Sequence, residues 1–220
     1  MSDKDERAGG RLGPDPERDA VLDAKGLRAL AHPVRVQLVG LLRRYGPSTA
    51  TRLAERLGLT SGATSYHLRQ LATAGFVEED TERGNARERW WRAVHRSTWF
   101  GDRELAEREP EAAMAYLQSI ATAYTLRTQQ ALGEFQAMPR PWRDAFDFSD
   151  WSLRLTAEEA VRLREELLSV VVRYRRDTPE EAADAPEGAE RVAVITQFLP
   201  ELDVPVPVAG AGSAPEAAES

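Results

Sequence analysis

The sequence predicts a mainly α-helical chain with one small β-hairpin, and three observations support this. Apolar residues recur at helical spacing over 22–31, 34–46, 50–58, 60–73 and 109–138. The period changes over "FVEED" (76–80) and "ERWWRAV" (88–94), which are rich in aromatic and β-branched residues. Between those two runs, "TERGNAR" (81–87) is polar and carries Gly84-Asn85, a turn signal between strands.

Each element follows in order. Residues 1–20 hold charges, Gly and Pro with almost no apolar side chains and are expected to be disordered. Leu22, Leu27 and Leu30 mark a first helix. His32-Pro33 punctuates; Pro33 suits the first turn of the next helix, and His32 fits a capping or turn role better than a ligand role. Val34, Leu38, Leu41 and Leu42 form one stripe that stops at Gly46. Ser48 or Thr49 caps "ATRLAERLG" (50–58), with Leu53, Ala54 and Leu57 inward and Gly58 as the break. In "TSGATSYHLRQLATAGF" (60–76), Leu68 and Leu71 face the core and Thr64 lies beneath.

After residue 97 the chain returns to helix, chiefly over 109–138, where Leu117, Ile120, Tyr124 and Phe135 mark one apolar side and Met114, Tyr116 and Leu126 lie elsewhere. "PRPW" (139–142) breaks it. "DFSDWSLRLT" (147–156) and "RVAVITQFLP" (191–200) read as strands. Thr156 and Glu159 form a capping box that opens a helix over 157–176 between them. The tail 204–220 is of low complexity and expected to be disordered. The domain plan is thus a tail (1–20), a compact helical unit with a hairpin (21–96), a helical dimerisation segment (97–140), a small helical or α+β C-terminal region (141–203) and a second tail (204–220).

Composition narrows the function. The chain has 220 residues, 42% of them hydrophobic and 30% charged, with a mean hydropathy of -0.49. No apolar run is long enough for a bilayer and the N-terminus lacks a signal-peptide core, so a cytoplasmic protein is expected. There is no cysteine, which removes disulfides, thiolate metal sites and cysteine nucleophiles. The net charge is -7, yet residues 23–96 hold 13 Lys and Arg against 7 Asp and Glu, a net of +6. A basic block in an acidic chain points to a localised anionic partner. No Gly-rich phosphate loop, G-x-S-x-G or metal-ligand cluster supports an enzyme.

Two helices joined through "LGL" (57–59), with small Ala54 four residues before Gly58, have the layout of a helix-turn-helix. Polar residues on the outside of its second helix can meet base edges and phosphates, and the helix N-terminus adds unpaired amides. The candidate DNA-binding residues are Ser61, Ala63, Thr64, Ser65, Tyr66, His67, Arg69 and Gln70. His67 also fits a partly buried role within the domain. In the hairpin, Arg83, Asn85 and Arg87 are candidates at the tip, although Glu78, Glu79, Asp80, Glu82 and Glu88 stand close enough to neutralise the arginines.

Three stretches resemble the winged helix-turn-helix of the ArsR-type bacterial transcriptional regulators. "LRALAHPVRVQLVGLL" is similar to the opening helices of that family, "ATRLAERLGLTSGATSYHLRQLATAGFV" to its helix-turn-helix and "EEDTERGNARERWWRAV" to its wing. The resemblance covers about a third of the chain. It implies a homodimeric regulator, mostly a repressor, that reads an inverted-repeat DNA duplex with helix 60–73. Metal sensing, common in that family, is not carried over: the only histidines are His32, His67 and His95, in no ligand spacing. No cofactor is implied. A second reading is a winged helix used for protein contacts, or a regulator whose C-terminal region takes an apolar effector. Trp90 and Trp91 should point to opposite faces, one into the core. Trp99, Trp142 and Trp151 are expected to be core of the later region more than a pocket lining.

Overall fold

The computed structural model describes residues 14–15, 17–83, 88–175, 177 and 182–202. The predicted tails fall largely outside them, as do Asn85 and Arg87. The chain is mainly helical with small sheets, as the sequence predicts.

Capping chemistry sets the helix starts. Asp23 accepts from the Gly26 amide at 2.7 Å and opens α1 (Ala24–Leu30). His32 Nδ1 accepts from the Val34 amide at 3.2 Å and opens α2 (Pro33–Tyr45), with Pro33 in the first turn. The expected capping role of His32 is therefore the observed one. Strand β2 (Ser48–Thr49) leads into α3 (Ala50–Leu57), then α4 (Ser61–Thr73), β3 (Val77–Glu79) and β4 (Trp90–Ala93). The antiparallel order β2-β4-β3 has Val77 opposite Ala93 and Ser48 opposite Trp91. Leu27, Leu38, Leu53, Leu68, Leu71 and Val77 are fully buried, so one core joins all four helices to the wing.

Strand β1 (Asp19–Val21) pairs in parallel with β5 (Ser97–Trp99), and Ser97 Oγ donates to Asp19 Oδ1 at 2.7 Å. Asp19 and Ala20, at the end of the segment the sequence assigns to the tail, are buried. Arg43 fastens the same seam. Its guanidinium donates to the His95 and Ser97 carbonyls, each at 2.8 Å, and to Thr98 Oγ1 at 3.0 Å.

Helix α5 (Arg103–Arg108) precedes α6 (Pro110–Glu134), which lies on α1 and α2. The face it buries carries Ala113, Tyr116 and Ser119, with Ile120 beside them. Tyr116, expected away from the main apolar side, is core, whereas Leu117 is 48% exposed. The spacing 113-116-120 follows 3.6 residues per turn; Leu117 sits a step round the helix. A 3-10 turn (Phe135–Ala137), α7 (Arg140–Asp144) and α8 (Ala157–Val171) follow, the last with the predicted Thr156–Glu159 capping box complete.

The two strands read at 147–156 and 191–200 are not formed; both segments lack regular secondary structure, and the regular elements of the region are helices. Alternation marks a segment that can pair, but a strand also needs a neighbour, and neither segment has one among the described residues. Trp151, expected in a core, is 84% exposed for the same reason. No described helix is long and apolar enough to cross a membrane.

Candidate nucleic-acid interface

The turn between α3 and α4 is built as its residues dictate. Thr49 Oγ1 accepts from the Arg52 amide and starts α3. Gly58 ends it at φ 65° and ψ 33°, a left-handed conformation in which its N–H reaches the Ala54 and Glu55 carbonyls. Buried Ala54 leaves room for α4 to cross, and Leu59 N–H donates to the Ala54 carbonyl at 2.9 Å. Thr60 Oγ1 then accepts from the Ala63 amide at 3.2 Å and starts α4 two residues past the turn.

Helix α4 divides cleanly by burial. Thr64, Leu68 and Leu71 point into the core. Ser61, Ala63, Tyr66, Arg69 and Gln70 are exposed on the opposite side, and Ser65 is half-buried. Thr64 therefore leaves the candidate set: a side chain with no exposure cannot touch a duplex. Its position four residues before Leu68 and seven before Leu71 places it on their side of the helix. His67 is also corrected towards the domain. It is half-buried, its ring centroid lies 4.5 Å from that of His32, and its Nδ1 is buried with no hydrogen-bond partner. Tyr66 meets the same imidazole edge-on at 5.6 Å.

Burial favours the neutral form of both histidines. Burial lowers the pKa of His32, with Arg35 adding to the shift; burial, then His32 and Arg35, lower that of His67. A charged His32 would also lose its Nδ1 lone pair and face the positive end of α2.

The wing arginines are engaged. Arg89 pairs with Glu79 at 3.1 Å, Arg92 with Glu78 at 2.8 Å and Arg83 with Asp80 at 3.6 Å. The acidic residues flagged in the sequence thus do meet the arginines, Arg83 included; the Arg89 and Arg92 pairs stay largely in solvent, whereas Asp80 is buried beneath an exposed Arg83. Trp91 is core, while half-buried Trp90 lies under the Arg52 guanidinium at 4.9 Å, so the adjacent indoles do face opposite ways.

Two further contacts escaped the sequence. Lys25 Nζ donates to the Thr73 carbonyl at 2.6 Å and closes the C-terminal end of α4 across 48 residues of chain. Thr51 Oγ1 lies 3.2 Å from Ser61 Oγ and ties the two helices at the exposed N-terminal end of α4. No local pattern marks either, because both depend on the crossing of distant helices.

The helix-turn-helix domain family matches residues 30–80. That match decides one point. The chain carries a helix-turn-helix domain. No curated protein sequence matches significantly. Among solved structures, a double mutant of ZitR from Lactococcus lactis in apo form is similar at 18% identity, covering 67% of this chain and 83% of that one with a TM-score of 0.25.

Proposed function

We propose that this helix-turn-helix protein is a sequence-specific, double-stranded DNA-binding transcriptional regulator of the ArsR type, acting in the cytoplasm as a homodimeric repressor without a metal response. One observation carries the reading: α4 buries Thr64, Leu68 and Leu71 and leaves Ser61, Ala63, Tyr66, Arg69 and Gln70 clear on the other side. A core helix would not need that face. Tyr, Arg and Gln side chains are suited to base edges and phosphates, and a helix of this size fits the major groove.

The net charge of +6 over residues 23–96 supports an anionic partner for this unit, against -13 for the rest of the chain. The wing residues Arg83, Asn85 and Arg87 are assigned to the flanking backbone. A duplex read by two copies would be an inverted repeat, because a two-fold dimer imposes its symmetry on the DNA. Dimerisation is assigned to α6, whose outer side exposes Met114, Leu117 and Leu132. A metal response is left out of this reading since there are no thiolates, and His32 and His67 come together without a third potential ligand grouped on them among the described residues.

Selection from a randomised duplex pool followed by footprinting tests the reading. The expected result is one recovered sequence with two half-sites about 10 base pairs, or a multiple of that, apart, and affinity that falls linearly in log–log with salt. Recovery of no preferred duplex at low salt would overturn it.

A further inference from the structure

Helix α8 and the irregular segments on either side of it expose apolar side chains that no other described element covers. Trp151, Leu153 and Leu155 alternate with Ser152, Arg154 and Thr156; Val192 and Val194 alternate in the second segment at 67% and 65% exposure. Helix α8 adds Leu167 and its neighbours, and it shares no extensive packing with another described element. Among the described residues, neither 147–155 nor 191–200 makes a backbone–backbone hydrogen bond. Both segments thus present free ladder groups and a period-2 apolar side, the features that recruit another strand.

The two segments do not serve each other within one protomer. The second is tied at its start to the winged unit: Arg191 bonds Asp177 at 3.0 Å and its guanidinium lies 5.6 Å from the Tyr45 ring at the end of α2. Exposed apolar side chains over 147–202 leave on the order of 1,000 Å² open per protomer, taking about 150–250 Å² for each large ring. That exceeds the roughly 800 Å² per partner of a standard interface, and it is well beyond the scattered exposure normal for a monomer.

We infer that, in the same dimer and about the same two-fold axis as the contact assigned to α6, a second copy of this chain covers this surface by strand exchange: segment 151–155 of each protomer pairs with segment 191–199 of the other, and α8 packs on the resulting sheet. Each chain carries both halves, so one two-fold axis satisfies both pairings at once and the contact closes at the dimer. A foreign strand would satisfy only one segment at a time.

The chain has no cysteine, so every disulfide in an engineered form is unambiguous. Single variants Trp151→Cys, Leu153→Cys and Leu155→Cys are each mixed with Val192→Cys, Val194→Cys or Leu199→Cys and oxidised mildly. At least one mixture should give a disulfide-linked pair in high yield, because facing strand positions bring Cβ atoms within about 4.5 Å. Leu117→Cys on α6 should link to none of them. In sedimentation, Leu153→Glu with Val194→Glu should raise the dimer dissociation constant at least tenfold. The inference is overturned if every mixture stays unlinked or if the charged variant dimerises unchanged. None of these readouts contains DNA, so their failure is separable from failure of the DNA-binding assignment.

Discussion

The imidazoles of His32 and His67 lie 4.5 Å apart and link the cap of α2 to the middle of α4. Both pKa values are depressed, first by burial. The unfolded chain, with histidines near 6.5, binds more protons below that pH than the folded one. Stability contributed by the neutral pair is therefore complete above 6.5 and is lost as pH falls from there towards the depressed folded values. The melting temperature should drop between pH 7 and pH 5, and His32→Asn, which retains a capping side chain without a titrating group, should flatten the drop. A variant with the wild-type slope would remove the pair from the account.

Gly58 is left-handed at φ 65°, and a Cβ there would meet nothing within 4 Å. Replacing it with alanine thus costs conformational strain alone, about 1–2 kcal/mol, measurable by urea denaturation. Asparagine should recover part of it, since its side chain tolerates that region. A neutral Gly58→Ala would mean that the turn relaxes freely.

Arg83 lies 3.6 Å from Asp80 and competes between that carboxylate and a phosphate. If it contacts the backbone of a bound duplex, Arg83→Ala should reduce the log–log salt slope by about 0.9 per protomer, and Asp80→Asn should tighten binding by freeing it. An unmoved slope would leave Arg83 as the partner of Asp80 only.

The outer side of α6 bears Leu117 and Leu132, each 48% exposed. Leu117→Glu with Leu132→Glu should weaken dimerisation at least tenfold, about 1.4 kcal/mol, while the melting temperature of the winged unit holds. The inner side behaves differently. Tyr116 is buried against that unit and β5 pairs with β1, so truncation at Arg96 would strip the core and is a poor test of oligomeric state.

The helix-turn-helix was legible because its cues are local: Leu68 and Leu71 at helical spacing, small Ala54 before the turn and Gly58 at the break. The wing was legible by its change of period. The β1–β5 pair was not, since three-residue strands 78 positions apart leave no pattern. Helical spacing also left His67 open, at the edge between the two sides of α4, and only the structure shows His32 reaching it. Over 147–156 and 191–200 the sequence predicts strands that do not form, because pairing is a property of two segments and neither finds a partner among the described residues.

The direct test of the central claim is the affinity of a selected duplex for the wild type and for Arg69→Ala with Gln70→Ala. Both side chains are exposed on α4, so the melting temperature should hold within a degree or two of the wild type. Fluorescence anisotropy at fixed salt should show binding weaker by about 1–3 kcal/mol per lost base contact, with relaxed preference at those positions. An unchanged dissociation constant with unchanged sequence preference would contradict the assignment of α4 as the reading helix.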